Sequence, residues 1–310
     1  MQKKSKIFKV LTSTLLAVCI IATFSGCNST STQTSTQKSQ AKLKVVVSFN
    51  AMKEFASAIG KDKVDISTII PDGNEPHDFD PTAKDLKNLS DAKVFIYNGF
   101  GMESWESKAV SSASNKNLIV VDASKGLTPI KNTDSDTIKE DGQYDPHIWI
   151  SLKGAKSESL NIKNALIKAD PSNKNFYKKN YKDFSKQLDD LFNEYNPKFQ
   201  GSKNKSFVTG HAAFGYLCRD FGLKQNSVED VFADGEPSTK KLKQLVDYCK
   251  TNKIKTIFVE DMVSPKVSTT LAKEVGAKAE KIYTIESKED NKDYIQSMKY
   301  NLDVIYRSLQ

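Results

Sequence analysis

Histidine and cysteine are scarce in this sequence, whose 310 residues include three histidines and four cysteines. No cysteine has a second cysteine two to four positions away, so the sequence does not encode a typical zinc–thiolate site. No nucleotide-binding motif is present, and after Phe24 no apolar run is long enough to span a membrane. These absences exclude a nucleotide-hydrolysing subunit and a protein with several membrane-spanning helices.

The amino terminus has the pattern of an export signal. Residues 1–9 carry four lysines, and an apolar run extends from Val10 to Phe24. This pattern predicts a signal peptide over residues 1–26. The residues Phe24-Ser25-Gly26-Cys27 resemble the lipobox at which bacterial lipoproteins are cleaved and lipidated. An ordinary signal peptide followed by an incidental cysteine is the alternative.

Residues 27–42 consist almost entirely of Ser, Thr, Gln and Lys, which predicts a disordered tether. With a lipid on Cys27, the chain would be anchored on the extracytoplasmic side of the cell membrane, on the outer face of a Gram-positive cell. Loss of the four signal lysines lowers the formal charge from +8 to +4. Lysines and carboxylates are interspersed, so the charge indicates a solvated surface and no nucleic-acid partner.

Short β-rich runs alternate with helical patterns in both halves of the remaining chain, which predicts parallel sheets covered by helices. The fold class is therefore α/β, with an amino-terminal lobe at 43–169 and a carboxyl-terminal lobe at 198–310. The predicted strands are Lys44–Phe49, Val64–Ile70, Val94–Asn98, Leu118–Val121, Ser206–Thr209, Val228–Val231, Thr256–Val259 and Lys281–Ile285. Cys218 and Cys249 are expected to be small buried residues, although a disulfide between them stays open.

A long helix is predicted between the two halves, at 170–197. Asp170-Pro171 is a favourable helix start and Asn196-Pro197 a favourable stop. Apolar and aromatic residues recur every three or four positions from Tyr177 to Tyr195, as one buried helix face requires. The same spacing from Tyr294 to Leu309 predicts a closing helix.

The three histidines, His77, His147 and His211, each lie at or just after a predicted strand or loop. A single histidine in such a context is more often structural than metal-binding. Ligands of open α/β sheets, however, bind outside the carboxyl ends of the strands, where all three can face one cleft between the lobes. Imidazole suits zinc, and a tetrahedral zinc site needs one further donor. Glu260 and Glu286 both follow predicted strands, and periodicity cannot separate them.

Several motifs occur in the order found in one family. They are Glu75–Pro81, Asn98-Gly99 with Glu103–Trp105, Asp145–Trp149, His211–Tyr216 and Glu236–Ser238. With them, nearly the whole chain after Leu43 resembles the metal-binding lipoproteins of bacterial zinc and manganese ABC importers, the ZnuA/AdcA-like proteins of TroA-type fold. Two features depart from the family pattern: the loop 131–144 lacks histidine, and Ile150-Ser151-Leu152 replaces the usual run after the second motif.

The resemblance implies two similar lobes bridged by one rigid helix, with a metal site in the cleft between them. Its ligands would be His77, His147, His211 and Glu286, with Glu260 and Asp145 in supporting positions. A histidine at position 211 favours zinc over manganese. The chain would be a monomer that delivers zinc to an ABC permease powered by a separate ATPase.

Three alternatives stay open. They are manganese binding within the same family, a mononuclear zinc hydrolase, and adhesion at the cell surface. The hydrolase is disfavoured because four protein ligands leave no open coordination position for water, and because the sequence has no His-Glu-x-x-His motif.

Overall fold

The computed structural model describes residues 41–132, 143–231, 238–261 and 264–310. The predicted signal peptide, Cys27 with most of the tether, the acidic residues of the loop 131–144 and part of the Glu236–Ser238 motif lie outside these ranges. Residues from Ala41 to Gln310 form one compact unit.

Two four-stranded parallel sheets organise this unit. The strands are β1 (Leu43–Val47), β2 (Val64–Thr68), β3 (Val94–Tyr97), β4 (Ile119–Asp122), β5 (Ile130–Lys131), β6 (Tyr144–Asp145), β7 (Ser206–Thr209), β8 (Lys224–Ser227), β9 (Thr256–Val259) and β10 (Lys278–Lys281). The strand orders of the two sheets are β2-β1-β3-β4 and β10-β9-β7-β8, and β5 and β6 form a short antiparallel pair.

Helices cover the sheets, as parallel strands joined by crossover connections require. In the described ranges they are α1 (Asn50–Gly60), α2 (Ala83–Asp91), α3 (Glu106–Ala113), α4 (Leu152–Ala169), α5 (Lys174–Gly201), α6 (Gly215–Phe221), α7 (Thr239–Thr251), α8 (Pro265–Val275) and α9 (Tyr294–Ser308). The predicted α/β class with two helix-covered parallel sheets is confirmed.

Two predicted strands of the second half were wrong, and both lie at sheet edges. The strand expected at Val228–Val231 is Lys224–Ser227, and the strand expected at Lys281–Ile285 is Lys278–Lys281. An edge strand pairs on one side only and can carry polar residues on exposed positions. The apolar residues on which each prediction was based lie after the observed strand. Of these, Ile282 and Ile285 are buried in the segment that leads to Glu286.

The long helix also differs from its prediction at both ends. A 3₁₀ turn occupies Pro171–Asn173, α5 starts at Lys174, and the helix continues through Pro197 to Gly201. Proline removes one hydrogen bond from a helix interior. Phe199, two residues beyond Pro197, is fully buried. The packing of this side chain therefore outweighs the loss of one backbone hydrogen bond. With 28 residues, α5 is about 42 Å long at ~1.5 Å per residue.

Cys218 and Cys249 are buried, as predicted, and the structure shows both as free thiols. They belong to two separate apolar clusters, Cys218 to the larger and Cys249 to the smaller. Of the helices in the described part of the chain, none combines the length and the apolar character that crossing a bilayer demands.

A buried carboxyl group on α4 is a weak point of the first half. Glu158 is fully buried, and neither of its carboxyl oxygens has a hydrogen-bond partner in the described residues. Burial, followed by the charges of Glu103 and Asp122, raises the pKa of Glu158 well above its usual value. The side chain is therefore held in its neutral form, without the hydrogen bonds that normally offset burial of a polar group.

We expect Glu158→Met to raise the free energy of unfolding at pH 8 by about 1–3 kcal/mol, because an apolar side chain of similar size removes the desolvation cost. A carboxyl pKa that is raised by folding stabilises the folded state below pH 4.5, and this contribution is lost as the pH rises. The gain measured by urea unfolding should therefore be smaller at pH 5 than at pH 8. The exposed Glu194→Met is the control, and an equal gain in both variants would contradict the prediction.

Candidate metal centre

The four residues expected to bind metal come from four separate segments of the chain. His77 follows β2 on the connection to α2, and His147 and His211 follow β6 and β7, each after one intervening residue. Glu286 lies on the connection from β10 to α9. The structure brings all four together, and one ligand atom from each lies within 4.8 Å of the others.

The spacing of the ring nitrogens is regular. His147 Nε2 lies 3.3 Å from His77 Nε2 and 3.3 Å from His211 Nε2. Glu286 Oε1 lies 3.6 Å from His147 Nε2. Nitrogen ligands about 2.0–2.1 Å from a tetrahedral zinc ion are separated from one another by about 3.3 Å. His147 Nε2 is therefore separated from each of the other two ring nitrogens by the distance between neighbouring corners of such a coordination tetrahedron.

The donor atoms also fit a cation chemically. Glu286 Oε1 is buried and has no hydrogen-bond partner in the described residues, whereas Oε2 accepts a 2.7 Å hydrogen bond from Thr284 Oγ1. A buried carboxylate oxygen without a donor, facing three imidazole nitrogens, needs a positive charge beside it. Three nitrogen donors and one carboxylate oxygen form a set that zinc accepts readily.

Asp145 fixes the orientation of His147. Asp145 Oδ1 accepts hydrogen bonds from the backbone N–H of His147 and from its ring Nδ1, both at 2.9 Å. Tyr216 in turn donates its hydroxyl proton to the backbone carbonyl of Asp145 at 2.6 Å. With the proton held on Nδ1, Nε2 is directed towards the other ligand atoms, which is the arrangement of many carboxylate–histidine–zinc sites.

Glu260 has a different position from Glu286. Its Oε1 accepts hydrogen bonds from the backbone N–H groups of Gly210 at 3.1 Å and His211 at 3.4 Å. A Cβ atom on Gly210 would lie 2.0 Å from Glu260 Oε2, so only glycine allows this approach. Glu260 therefore holds the turn that presents His211, and it is not one of the four clustered groups.

The segment with Glu286 is tied to the first half of the chain. Asn50 Nδ2 donates to the backbone carbonyls of Ile285 at 3.2 Å and Ser287 at 3.1 Å. Gly73, on the same connection as His77, donates its N–H to Ser287 Oγ at 2.9 Å. Ile285 itself has a positive φ of 62°, which is unusual for a β-branched residue. These contacts hold the carboxylate and His77 against each other.

The pKa values separate the histidines into two kinds. Burial lowers the pKa of His77 to about 3 and that of His211 to about 4. Burial acts in the same direction on His147, but the nearby carboxylates of Asp145 and Glu286 outweigh it and raise the pKa to about 9. Glu286 also experiences burial, yet His147 and the other imidazoles lower its pKa. In the protein without metal, His147 therefore carries a proton between two carboxylates.

Sequence reasoning missed two residues that shape this site. Asn50 lies 235 positions from Ile285, to whose backbone carbonyl its side chain donates, and no local sequence pattern could have identified this contact. Glu75 lies two residues before His77, and its Oε1 is 3.9 Å from His77 Nε2. Glu75 was visible in the sequence as part of the first motif, and its proximity to a histidine was the signal available. Burial and then the charge of Glu286 raise the pKa of Glu75.

Comparison with known proteins identifies similar chains. The family model described as zinc-uptake complex component A, periplasmic, matches residues 45–308. A high-affinity zinc uptake system protein, ZnuA, of Bacillus subtilis is 38% identical over 95% of this chain and 96% of its own length. A protein of Treponema pallidum described as metal-binding is 44% identical over 86% of this chain and 87% of its own.

Among solved structures, the laminin-binding protein Lmb of Streptococcus agalactiae superimposes with a TM-score of 0.80 and 34% identity, covering 87% of this chain and 100% of its own. That protein is described as bifunctional, with adhesin and metal-transporting activity.

Proposed function

The chain belongs to the ZnuA family of zinc-uptake components, and from this membership and the geometry of the site we propose that it captures one zinc ion and delivers it to an ABC importer. Members of this family are solute-binding proteins, and the B. subtilis relative is named for high-affinity zinc uptake. The ligands in our proposal are His77, His147, His211 and Glu286.

The observation that supports this function most directly is the spacing of the three imidazoles. Two Nε2–Nε2 distances of 3.3 Å and a buried carboxylate oxygen without a donor match a small tetrahedral cation better than a hydrogen-bonded network. Manganese prefers more oxygen donors than this set provides, so zinc is the preferred ion. Copper binds such donors at least as tightly, and selectivity against it must come from geometry and availability.

A binding role fits the site better than a hydrolytic one. Catalytic zinc sites combine three protein ligands with a water molecule in an open fourth position. Here four protein donors surround the same point, and the side chains of His147, His211 and Glu286 are at most 2% exposed. We therefore propose that the chain is not an enzyme.

The proposal extends to the location and the partners of the protein. A lipid on Cys27 would anchor the chain on the outer side of the membrane, where the site can collect zinc from solution. A permease with a separate ATPase would receive the ion, and the protein would act as a monomer. The lobes 43–169 and 198–310 would move little relative to each other, with the helix between them as a rigid connection.

Zinc titration of the full-length chain tests this function. We expect one tightly bound zinc per chain, and Glu286→Gln should weaken the affinity about a hundredfold, because one of four metal bonds is lost. Glu260→Gln is the matched control. Burial raises the pKa of Glu260 well above its usual value, so a neutral amide resembles the side chain already present.

Competition with a chelator of known affinity would measure both variants. A larger loss in Glu260→Gln than in Glu286→Gln, or the absence of a tight zinc site in the unmodified chain, would refute the assignment.

Adhesion is a second candidate function, favoured by the description of the S. agalactiae relative as an adhesin. Binding of the purified chain to immobilised laminin would test it. A specific adhesive role requires that the folded chain binds laminin but not immobilised albumin, and that a heat-denatured sample no longer binds laminin.

A further inference from the structure

We propose that Glu75 is the exchange ligand of the zinc site, the carboxylate that takes the ion from solvent and passes it to His77. This inference rests on the proposed function, since it assumes that the four clustered residues bind zinc. It assigns to Glu75 a role in the rate of zinc transfer, separate from the resident ligand set.

The position of Glu75 supports this role. Its Oε1 lies 3.9 Å from His77 Nε2, the same nitrogen that is 3.3 Å from His147 Nε2. The backbone N–H of His77 donates to Glu75 Oε1 at 3.2 Å, which holds the carboxylate beside the ring. An ion at His77 Nε2 is therefore within reach of Glu75 after a small shift.

Exposure distinguishes Glu75 from the proposed ligands. The side chain of Glu75 is 30% exposed, whereas that of His77 is 5% exposed and that of Glu286 is 1% exposed. A hydrated ion cannot contact the buried donors without first losing water. Glu75 reaches both solvent and the edge of the site, so it can replace the first of these waters.

The electrostatic setting also favours a cation at this position. Glu75 Oε1 lies 3.9 Å from His77 Nε2, and Glu286 Oε1 lies 3.6 Å from His147 Nε2. Both carboxyl groups therefore favour a divalent cation near these nitrogens. The connection that carries Glu75 is fixed to the segment of Glu286 by the bonds from Gly73 to Ser287 and from Lys288 to Asp72.

The proposed exchange is a series of ligand substitutions on the hydrated zinc ion. One water leaves as a Glu75 oxygen binds, and any proton on that carboxyl group passes to solvent. His77, His147 and His211 then each replace a water, and the remaining waters leave as the coordination number falls to four. The bond to Glu75 breaks as Glu286 binds in its place. During release the same steps run in reverse, with Glu75 binding the ion before the buried donors let go.

Stopped-flow kinetics on the full-length chain in detergent test this proposal, with zinc association followed by tryptophan fluorescence and release followed by a colorimetric chelator. We expect Glu75→Gln to slow association and release alike, each by about tenfold, because an amide oxygen, unlike a carboxyl group that can give up its proton, is a weak ligand for zinc. The equilibrium constant should change by less than about threefold, since both rates fall together. Glu75→Asp, with its charge kept and its reach shortened, should give intermediate rates.

Asp78→Asn is the matched control, because it removes an exposed carboxylate from the same connection. At about 0.15 M salt, where the screening length is about 8 Å, its rates should stay close to those of the unmodified chain. Thermal melts of the metal-free variants would establish that each is folded.

Three results would overturn the proposal: unchanged rates in Glu75→Gln, equal slowing in Asp78→Asn, or faster release with a loss of affinity similar to that of Glu286→Gln. The last result would make Glu75 a resident ligand. Failure of the unmodified chain to bind one tight zinc would instead refute the proposed function, so the two failures are distinguishable.

Discussion

His147→Ala is expected to weaken zinc binding by at least about a hundredfold, because apparent zinc-binding energies of roughly 10–16 kcal/mol are shared among four ligands. His147 is central to the cluster, since its Nε2 lies 3.3 Å from His77 Nε2, 3.3 Å from His211 Nε2 and 3.6 Å from Glu286 Oε1. Competition titration against a chelator would measure this loss. An affinity equal to that of the unmodified chain would exclude His147 as a ligand.

The same change should also destabilise the metal-free protein. Removal of the protonated ring leaves Asp145 and Glu286, both buried, without their shared positive partner. Breaking a buried ion pair in this way costs about 3–5 kcal/mol. Because the folded-state pKa of His147 is raised, this contribution is fully present below about pH 6.5 and is lost as the pH rises through about 9. Urea unfolding at pH 6 is therefore the sensitive measurement.

His211→Ala is the control for this second effect. Burial lowers the pKa of His211 to about 4, so the ring is neutral at pH 6 and its removal takes away no charge. The His211→Ala variant should weaken zinc binding as strongly as His147→Ala but should lower the free energy of unfolding less. Equal destabilisation by the two variants would show that the ion pair of His147 contributes nothing beyond packing.

Zinc affinity is expected to fall by about tenfold for each pH unit below about 9, because zinc must displace the proton on His147 Nε2. Between pH 8 and pH 6 the loss should reach about a hundredfold. His211 and His77, with pKa values of about 4 and about 3, add to the slope only at lower pH. A histidine with the ordinary pKa of about 6.5 would instead place the start of this decline near pH 6.5.

Calorimetry in two buffers with different ionisation enthalpies would count the protons released. At pH 7 we expect at least about one proton per zinc. Asp145→Asn should reduce this number, because the amide removes the charge that helps to raise the pKa of His147. An affinity that is constant from pH 8 to pH 7, with no proton release, would contradict this prediction.

The sequence was most informative where burial dictates residue type. Interior strands such as β1, β3, β7 and β9 are apolar because parallel sheets are covered on both faces, and all four were predicted at nearly the observed positions. The edge strands β8 and β10 are polar and were misplaced. Backbone pairing with a neighbour places such strands, and that neighbour cannot be read from the local sequence.

The proposed ligands show the same division. Three histidines at the ends of strands predicted a shared cleft, and the structure places their Nε2 atoms together. Sequence periodicity could not decide whether Glu260 or Glu286 is the fourth ligand. Only the family resemblance favoured Glu286. The two carboxylates are both buried and both follow a β-rich segment. Only their neighbours distinguish them. Glu260 Oε1 accepts hydrogen bonds from the backbone N–H groups of Gly210 and His211, whereas Glu286 Oε1 accepts none from the described part of the chain and lies 3.6 Å from His147 Nε2.

By itself, then, the sequence determined the α/β class, the approximate order of elements, the family and the histidines that meet at the site, because hydrophobic patterning and motif residues are local properties of the chain. The tertiary structure decided the protonation of His147, the roles of the two glutamates and the nearness of Glu75 to His77. These depend on distances between residues far apart in the chain and on the exclusion of water around them, which only folding establishes.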